Sequence, residues 1–315
     1  MSRIDEALRR AKQAAGDAPA EVAVPEEGLF SPAWDVPAGE QPAGPDGAQG
    51  SRAGVDAGTG ASLLTDDGPR AMAVFKGFHP QVAERLALPD NRNSKLVEQF
   101  RKLAATLHHA QTATGIRTVM ITSAVAGEGK TLTATNLALT LAESFRRHVL
   151  LVDADLRRPS LHDVFQVPNV IGLSDGLNAP VAGRMSLIQV TPLLTLLTAG
   201  RPEADPMHSL ISDRMKQVIE EARERFDWVV LDTPPVGLLT DANLLAAMVD
   251  TTLLVVRAGL SPYGYVERAA EIIGRDRIIG VVLNAVSPEH THDDDEYYSY
   301  YARYGRGASS GHGAR

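Results

Sequence analysis

The sequence predicts a doubly wound α/β domain with a mainly parallel sheet and a P-loop, and three observations carry that expectation. Short apolar runs alternate with helical segments from Ser94 onward, the order that builds a parallel sheet with helices on both faces. Several of the runs, such as Trp228–Leu231, are apolar without interruption, as strands buried on both sides are. The first run, Thr118–Ser123, feeds a Gly-rich loop that opens a helix. In such folds the ligand sits at the carboxyl ends of the strands.

The elements follow in order. Residues 1–15 read as a short amphipathic helix, with Ser2 as its cap and Ile4, Leu8 and Ala11 on one face. Residues 16–90 are expected to be a disordered or extended linker. Up to residue 70 they are rich in Ala, Gly, Pro, Asp and Glu without apolar period, and 71–90 suit an extended arm across the domain surface. The domain is expected over 91–288 and a flexible tyrosine-rich tail over 289–315. Leu96, Phe100, Leu103 and Leu107 are spaced for the buried face of its first helix. Helices are expected at Thr131–Ser144, Pro206–Phe226, Ala242–Met248 and Tyr263–Gly274. Strands are expected at Thr118–Ser123, His148–Val152, Trp228–Leu231, Thr251–Val256 and Ile278–Leu283, with two short strands or one bent one in Met185–Leu197.

Composition narrows the function. With 39 acidic against 31 basic residues the net charge is -8, which disfavours nucleic acid as the main partner. No cysteine is present, so disulfides and thiolate metal sites are excluded, as suits the cytosol. No apolar run reaches eighteen residues, and the N-terminus lacks the apolar core of a secretory signal. A role at a membrane would therefore need a recruiting partner. Aromatic residues are only 5% of the chain, so the core is expected to be aliphatic.

The loop from Ala124 to Thr131 lies between a strand and a helix, the setting a P-loop requires. Gly127 and Gly129 let backbone N–H groups turn toward phosphate. Lys130 is a point charge for the β- and γ-phosphates, and the Thr131 hydroxyl suits Mg²⁺. Asp153 and Asp155 follow the next apolar strand. One of them suits a metal reached through water, and the other a hydroxyl proton. Arg157 and Arg158 come next and suit phosphate, a neighbouring subunit or solvent. Asp232 closes the strand that starts at Trp228, the usual position of a second Mg²⁺ carboxylate.

The tyrosines are distributed unevenly. All seven lie between Tyr263 and Tyr304, and five of them, Tyr297, Tyr298, Tyr300, Tyr301 and Tyr304, crowd behind the acidic run Asp293–Glu296. That composition cannot bury five rings, so the cluster reads as a substrate carried on the same chain as an ATP-binding loop.

The segments GEGKT at 127–131, LLVDADLRRP at 150–159 and VVLDTPP at 229–235 together resemble the bacterial tyrosine autokinases, or BY-kinases, of the CpsD/CapB-like capsule and exopolysaccharide type. These share a deviant Walker, MinD-like P-loop class with the Min and Par partitioning ATPases. The resemblance covers roughly residues 90–305, and in the family the three segments are Walker A, Walker A′ and Walker B. Residues 172–177 (GLSDGL) also match, as do 199–202 (AGRP) with Asp205-Pro206, where Asp205 replaces the usual Asn. So does 281–284 (VVLN).

The resemblance implies ATP held by Ala126, Gly127, Glu128, Gly129, Lys130, Thr131 and Leu132, with Asn284 reading adenine. It implies Mg²⁺ on Thr131, Asp155 and Asp232, catalysis by Lys130, Asp153, Asp155 and Asp232 with Asp153 nearest the phenol, and autophosphorylation of the five tail tyrosines. The implied partners are a Wzz-like membrane chain-length regulator, further copies of the chain in a ring, and a tyrosine phosphatase, at the cytoplasmic side of the inner membrane. Two departures stand out. Glu98 and Arg101 start the family's ExxRxxR oligomerisation helix, but Ala104 stands where its second Arg is usual. Ala126 replaces the Walker A proline. The rival readings are a non-catalytic ATP switch of an export complex and a Min/Par-type ATPase. Val125, where partitioning ATPases carry a lysine, counts against the latter.

Overall fold

The computed structural model describes residues 62–65, 75–88, 94–179, 185–236 and 241–286. The expected helix at 1–15 and the tail with its five tyrosines lie outside the described residues. In chain order the elements are β1 (Leu64–Thr65), α1 (Pro80–Ala83), α2 (Ser94–Thr114), β2 (Thr118–Ser123), α3 (Lys130–Glu143), β3 (Val149–Asp153), α4 (Leu161–Val164) and α5 (Leu173–Asn178). There follow β4 (Met185–Ser186), β5 (Ile188–Gln189), β6 (Leu194–Leu197), α6 (Met207–Leu210), α7 (Asp213–Arg225), β7 (Trp228–Asp232), α8 (Asp241–Ala246), β8 (Thr251–Arg257), α9 (Tyr263–Ile273) and β9 (Ile278–Asn284).

The main sheet runs β5-β6-β3-β7-β2-β8-β9 and is parallel except for the edge pair β5–β6. Its central strands β3, β7, β2 and β8 are buried because alternate residues feed two cores. Val119, Ile121, Val149, Leu151 and Val230 pack with Ala104 and Leu107 of α2 and with Leu137 and Leu141 of α3. Met120, Leu150, Val152, Val229 and Leu231 pack with Met215 and Ile219 of α7 and with Val266 and Ile273 of α9. This is the three-layer arrangement that unbroken apolar strands call for. Helix α3 is buried at every position from Thr133 to Ala142, because it lies between the sheet and α2.

Several expectations need correction. The segment 206–226 is two helices, because the Ser212 hydroxyl accepts from the Met215 N–H at 3.2 Å and starts a new helix there. The 185–197 segment holds three short strands rather than one or two. On α2 the buried positions are Val97, Ala104 and Leu107, while Leu96, Phe100 and Leu103 are half-buried. Ala104, where relatives are expected to carry Arg, is fully buried in the core beneath α2. Helices α4 and α5 carried no expectation.

Two parts of the expected 16–90 linker are docked on the domain. Leu63 and Leu64 are buried, and β1 adds a parallel strand to β4. Glu221 of α7 accepts the N–H groups of Leu63 at 2.7 Å and Leu64 at 3.1 Å. Residues 75–88 pack Phe75, Phe78 and Val82 against the core under α3 and α4, and Leu86 is fully buried.

The 172–177 and 198–201 segments interlock. Leu173 and Ser174 donate to the carbonyls of Thr198 and Ala199 at 2.8 and 2.7 Å. A Cβ on Gly172 would lie 2.3 Å from both Gly200 N and Thr198 O, backbone atoms that cannot swing aside. Gly172→Ala is therefore expected to destabilise the domain by about 1–3 kcal/mol, which urea unfolding would measure.

Candidate active site

The strand order sets the site. Strands β3, β7 and β2 lie side by side, and parallel pairing brings Asp153 opposite Asp232, and Asp232 opposite Ile121. Two strand-end carboxylates thus stand on neighbouring strands, next to the strand that carries the P-loop. No spacing in the sequence specifies that adjacency; it follows from which strands pair.

The P-loop leaves β2 at Ser123 and enters α3 at Lys130. Gly129 caps the helix at φ +94, a left-handed conformation that glycine adopts without strain. A Cβ there would also meet the Asn284 Nδ2 at 2.1 Å. Gly127, at φ +80, and Ala126 form the exposed tip of the loop, whereas Glu128 is fully buried. Its carboxylate accepts the Val125 N–H at 2.8 Å and the Ser261 hydroxyl. Arg257 donates to the Gly127 carbonyl at 3.2 Å. The β8–α9 turn therefore braces the phosphate-loop backbone from behind. Glu128, expected as a loop residue for nucleotide, uses its side chain for this bracing. Leu132 is half-buried against the core.

Lys130 points at three carboxylates. Its Nζ is 3.3 Å from Asp155 Oδ2. Burial opposes its charge, but Asp232, Asp155 and Asp153 outweigh burial and raise its pKa. Asp155 also accepts the Arg158 N–H at 3.1 Å. Asp153 is fully buried and accepts the N–H groups of Ser160 at 3.0 Å and Leu161 at 2.9 Å. Burial and the Asp232 charge push its pKa well above the carboxylate range, and the two N–H groups oppose them. Asp232 is also fully buried, and neither of its oxygens has a hydrogen-bond partner. Burial lifts its pKa to about 6 against the pull of Lys130 and the Thr131 hydroxyl. That hydroxyl stands near enough to favour the charged form, yet its hydrogen bond goes to the Ser160 hydroxyl at 3.0 Å.

Five expected site residues, Lys130, Thr131, Asp153, Asp155 and Asp232, thus come together. Asn284 reaches the P-loop, donating to the Glu128 carbonyl at 2.8 Å and accepting from the Ala285 N–H at 2.9 Å. One amide hydrogen is left for a base. Arg157 is committed elsewhere: it forks onto buried Asp241 at 2.6 and 3.3 Å and pairs with Asp205 at 3.6 Å. Arg158 carries an exposed side chain. Ser160, Leu161, Ser261 and Arg257 were not anticipated. The one available signal was Ser160 itself, a residue type common at helix starts, although its side chain makes no capping hydrogen bond.

The site fits a hydrated divalent cation. A buried carboxylate with two unpartnered oxygens is costly unless something binds it, and the Thr131 hydroxyl lies beside it. Among the described residues no group of three or more His, Asp or Glu forms a metal cage. Mg²⁺ does not need one, since it keeps waters and takes one or two carboxylates with substrate phosphates.

Fold and loop together define a P-loop nucleotide-binding domain, and residues 119–307 match the CobQ/CobB/MinD/ParA nucleotide-binding domain family. The tyrosine-protein kinase YwqD of Bacillus subtilis is 34% identical over 203 residues, covering 62% of this chain and 82% of that protein. The tyrosine-protein kinase etk of Escherichia coli K12 is 36% identical over 204 residues, covering 62% of this chain but only 27% of that protein. The solved kinase domain of Escherichia coli ETK superposes with a TM-score of 0.58 at 33% identity, covering 66% of this chain and 80% of that domain. The chain belongs to the bacterial tyrosine-kinase (BY-kinase) family, on the nucleotide-binding fold its sheet order and P-loop define.

Proposed function

We propose that this chain is an ATP-dependent protein-tyrosine autokinase that phosphorylates its own tail at Tyr297, Tyr298, Tyr300, Tyr301 and Tyr304 and regulates exopolysaccharide or capsule polymerisation and export. The observation that carries the reading is the convergence of Asp153, Asp155 and Asp232 on Lys130 at the carboxyl edge of the sheet. Lys130 and the Gly127–Thr131 backbone bind the ATP phosphates, and Asn284 meets the base. Thr131, Asp155 and Asp232 would hold Mg²⁺, which when bound offsets phosphate charge. In the transfer, the bond from the γ-phosphorus to its bridging oxygen breaks and one to the phenol oxygen forms. ADP leaves, and the phenolic proton goes to Asp153.

The tail reaches a neighbouring copy's site in trans, within a ring of this chain. A membrane chain-length regulator brings the protein to the inner membrane face; among the described residues no helix is long and apolar enough to cross a membrane. A tyrosine phosphatase reverses the modification. Each phosphate adds roughly -1.5 to -2 charge beside Asp293–Glu296, so phosphorylation should loosen the ring.

Intact mass after incubation with Mg·ATP tests the core of the reading. The wild-type protein should gain several phosphates. A variant with all five tail tyrosines replaced by Phe should lose most of that gain and bind ATP unchanged. ATP binding without any phosphate uptake would leave a nucleotide switch in place of a kinase. Fractionation of cells lacking the regulator should move the protein to the soluble pool.

A further inference from the structure

We infer that the arm formed by residues 75–88 is a positioning element of the active site, clamping the helical turn that holds Asp153. This rests on the kinase reading only where its test measures phosphoryl transfer.

The N–H groups of Ser160 and Leu161 reach Asp153 because α4 begins there. Helix α4 is a single turn of four residues, too short to be stable by itself, so its position depends on what holds its far end. That end is held by the arm. Phe165, fully buried, closes a ring cluster with Phe75 and Phe78 at centroid distances of 6.0 and 5.4 Å. Phe75 and Phe78 meet each other edge to face at 5.0 Å. The His79 N–H donates to the Val164 carbonyl at 2.9 Å.

The arm's other end is fixed to the P-loop helix. Buried Asn136 of α3 accepts the Ala87 N–H at 2.6 Å and donates to the Arg85 carbonyl at 2.9 Å. The arm therefore ties the helix that starts at Lys130 to the turn that supplies both donors to Asp153. It does so from outside residues 119–307, the span of the nucleotide-binding domain. Loss of the aromatic clamp should free α4 and leave the P-loop, which Glu128, Ser261 and Arg257 brace independently.

The test compares the full-length wild type with Phe75→Ala/Phe78→Ala and with the conservative Phe78→Leu. Amide exchange in the nucleotide-free protein at 160–167 should rise at least about tenfold in the double variant, while 118–123 keeps its protection. The rate constant for tail phosphorylation should fall roughly 10- to 100-fold, with KM for ATP within about threefold. Phe78→Leu should retain most of the rate. Unchanged exchange at 160–167 overturns the clamp. So does equal loosening of 118–123, or a parallel loss of rate and ATP affinity, since either marks general destabilisation. If the double variant fails to fold, the single variant Phe75→Ala gives the same comparison at smaller amplitude. A wild-type protein that takes up no phosphate sinks the kinase reading, and the exchange data still decide the clamp.

Discussion

Asp232→Asn is expected to abolish phosphoryl transfer and, at the same time, to stabilise the nucleotide-free protein. The first half follows from the position of Asp232: both of its oxygens are buried without a hydrogen-bond partner, and an amide there brings no negative charge to a cation. The second half follows from its pKa of about 6 against an ordinary 3.8. A carboxyl whose folded pKa is raised holds a proton in the folded state that the unfolded chain has already released. Its contribution to stability is therefore lost as pH rises from about 4 to about 6, and it stays lost above that window. Asn carries no charge to bury, so the variant's advantage should grow across the same window and level off near neutrality.

The shift sets a ceiling of about 3 kcal/mol. The loss of attraction to Lys130 and the unpartnered amide reduce it, so a gain of roughly 1–2 kcal/mol is expected. Chemical denaturation of both proteins at pH 4 and pH 7.5 measures it. Mg·ADP should then stabilise the wild type and do little for the variant. A variant that transfers phosphate within a fewfold of the wild-type rate removes Asp232 from the metal. One that is less stable than wild type at pH 7.5 removes the argument from burial.

That prediction shows what the sequence could and could not convey. An acid at the end of an apolar strand is visible as such, and Asp153 and Asp232 both stand out that way. The bounds of β2 were legible to the residue, and those of the equally buried β3 and β7 to within one residue. What makes the two acids a site is their register partnership, and that depends on β7 lying between β3 and β2, which no local pattern encodes. The same holds for the arm. Residues 62–65 and 75–88 have the look of a linker, because their apolar residues follow neither helical nor strand period. Each finds its partner on a surface that the rest of the chain creates: Glu221 of α7 for Leu63 and Leu64, and Phe165 for Phe75 and Phe78. Arg157 was ambiguous for a related reason. A guanidinium after a strand-end acid can face phosphate or protein, and the fork onto Asp241 exists only because α8 begins beside it.

Lys130→Met should match Asp232→Asn in activity and oppose it in stability. Met keeps the approximate length of Lys and removes the point charge, so phosphate binding should weaken and tail phosphorylation disappear. In the nucleotide-free protein Lys130 is the cation shared by Asp155, Asp153 and Asp232, and these carboxylates hold its pKa above 10.5. A lysine raised in this way contributes stability that is present below 10.5 and lost only as pH climbs through the folded value. The wild type therefore has the full contribution at neutral pH. Removing it strands a cluster of buried carboxylates, at a cost of about 2–4 kcal/mol. The cost should be smaller at pH 5, where Asp232 is mostly protonated. Combining Lys130→Met with Asp232→Asn takes away one charge of each sign from the same site, so the double variant should recover much of the loss and return toward wild-type stability. Denaturation of the two single variants and the double at pH 7.5 tests this directly. If the single effects simply add, or if Lys130→Met is as stable as wild type, then Lys130 and the three carboxylates do not form the compensated cluster on which both predictions depend.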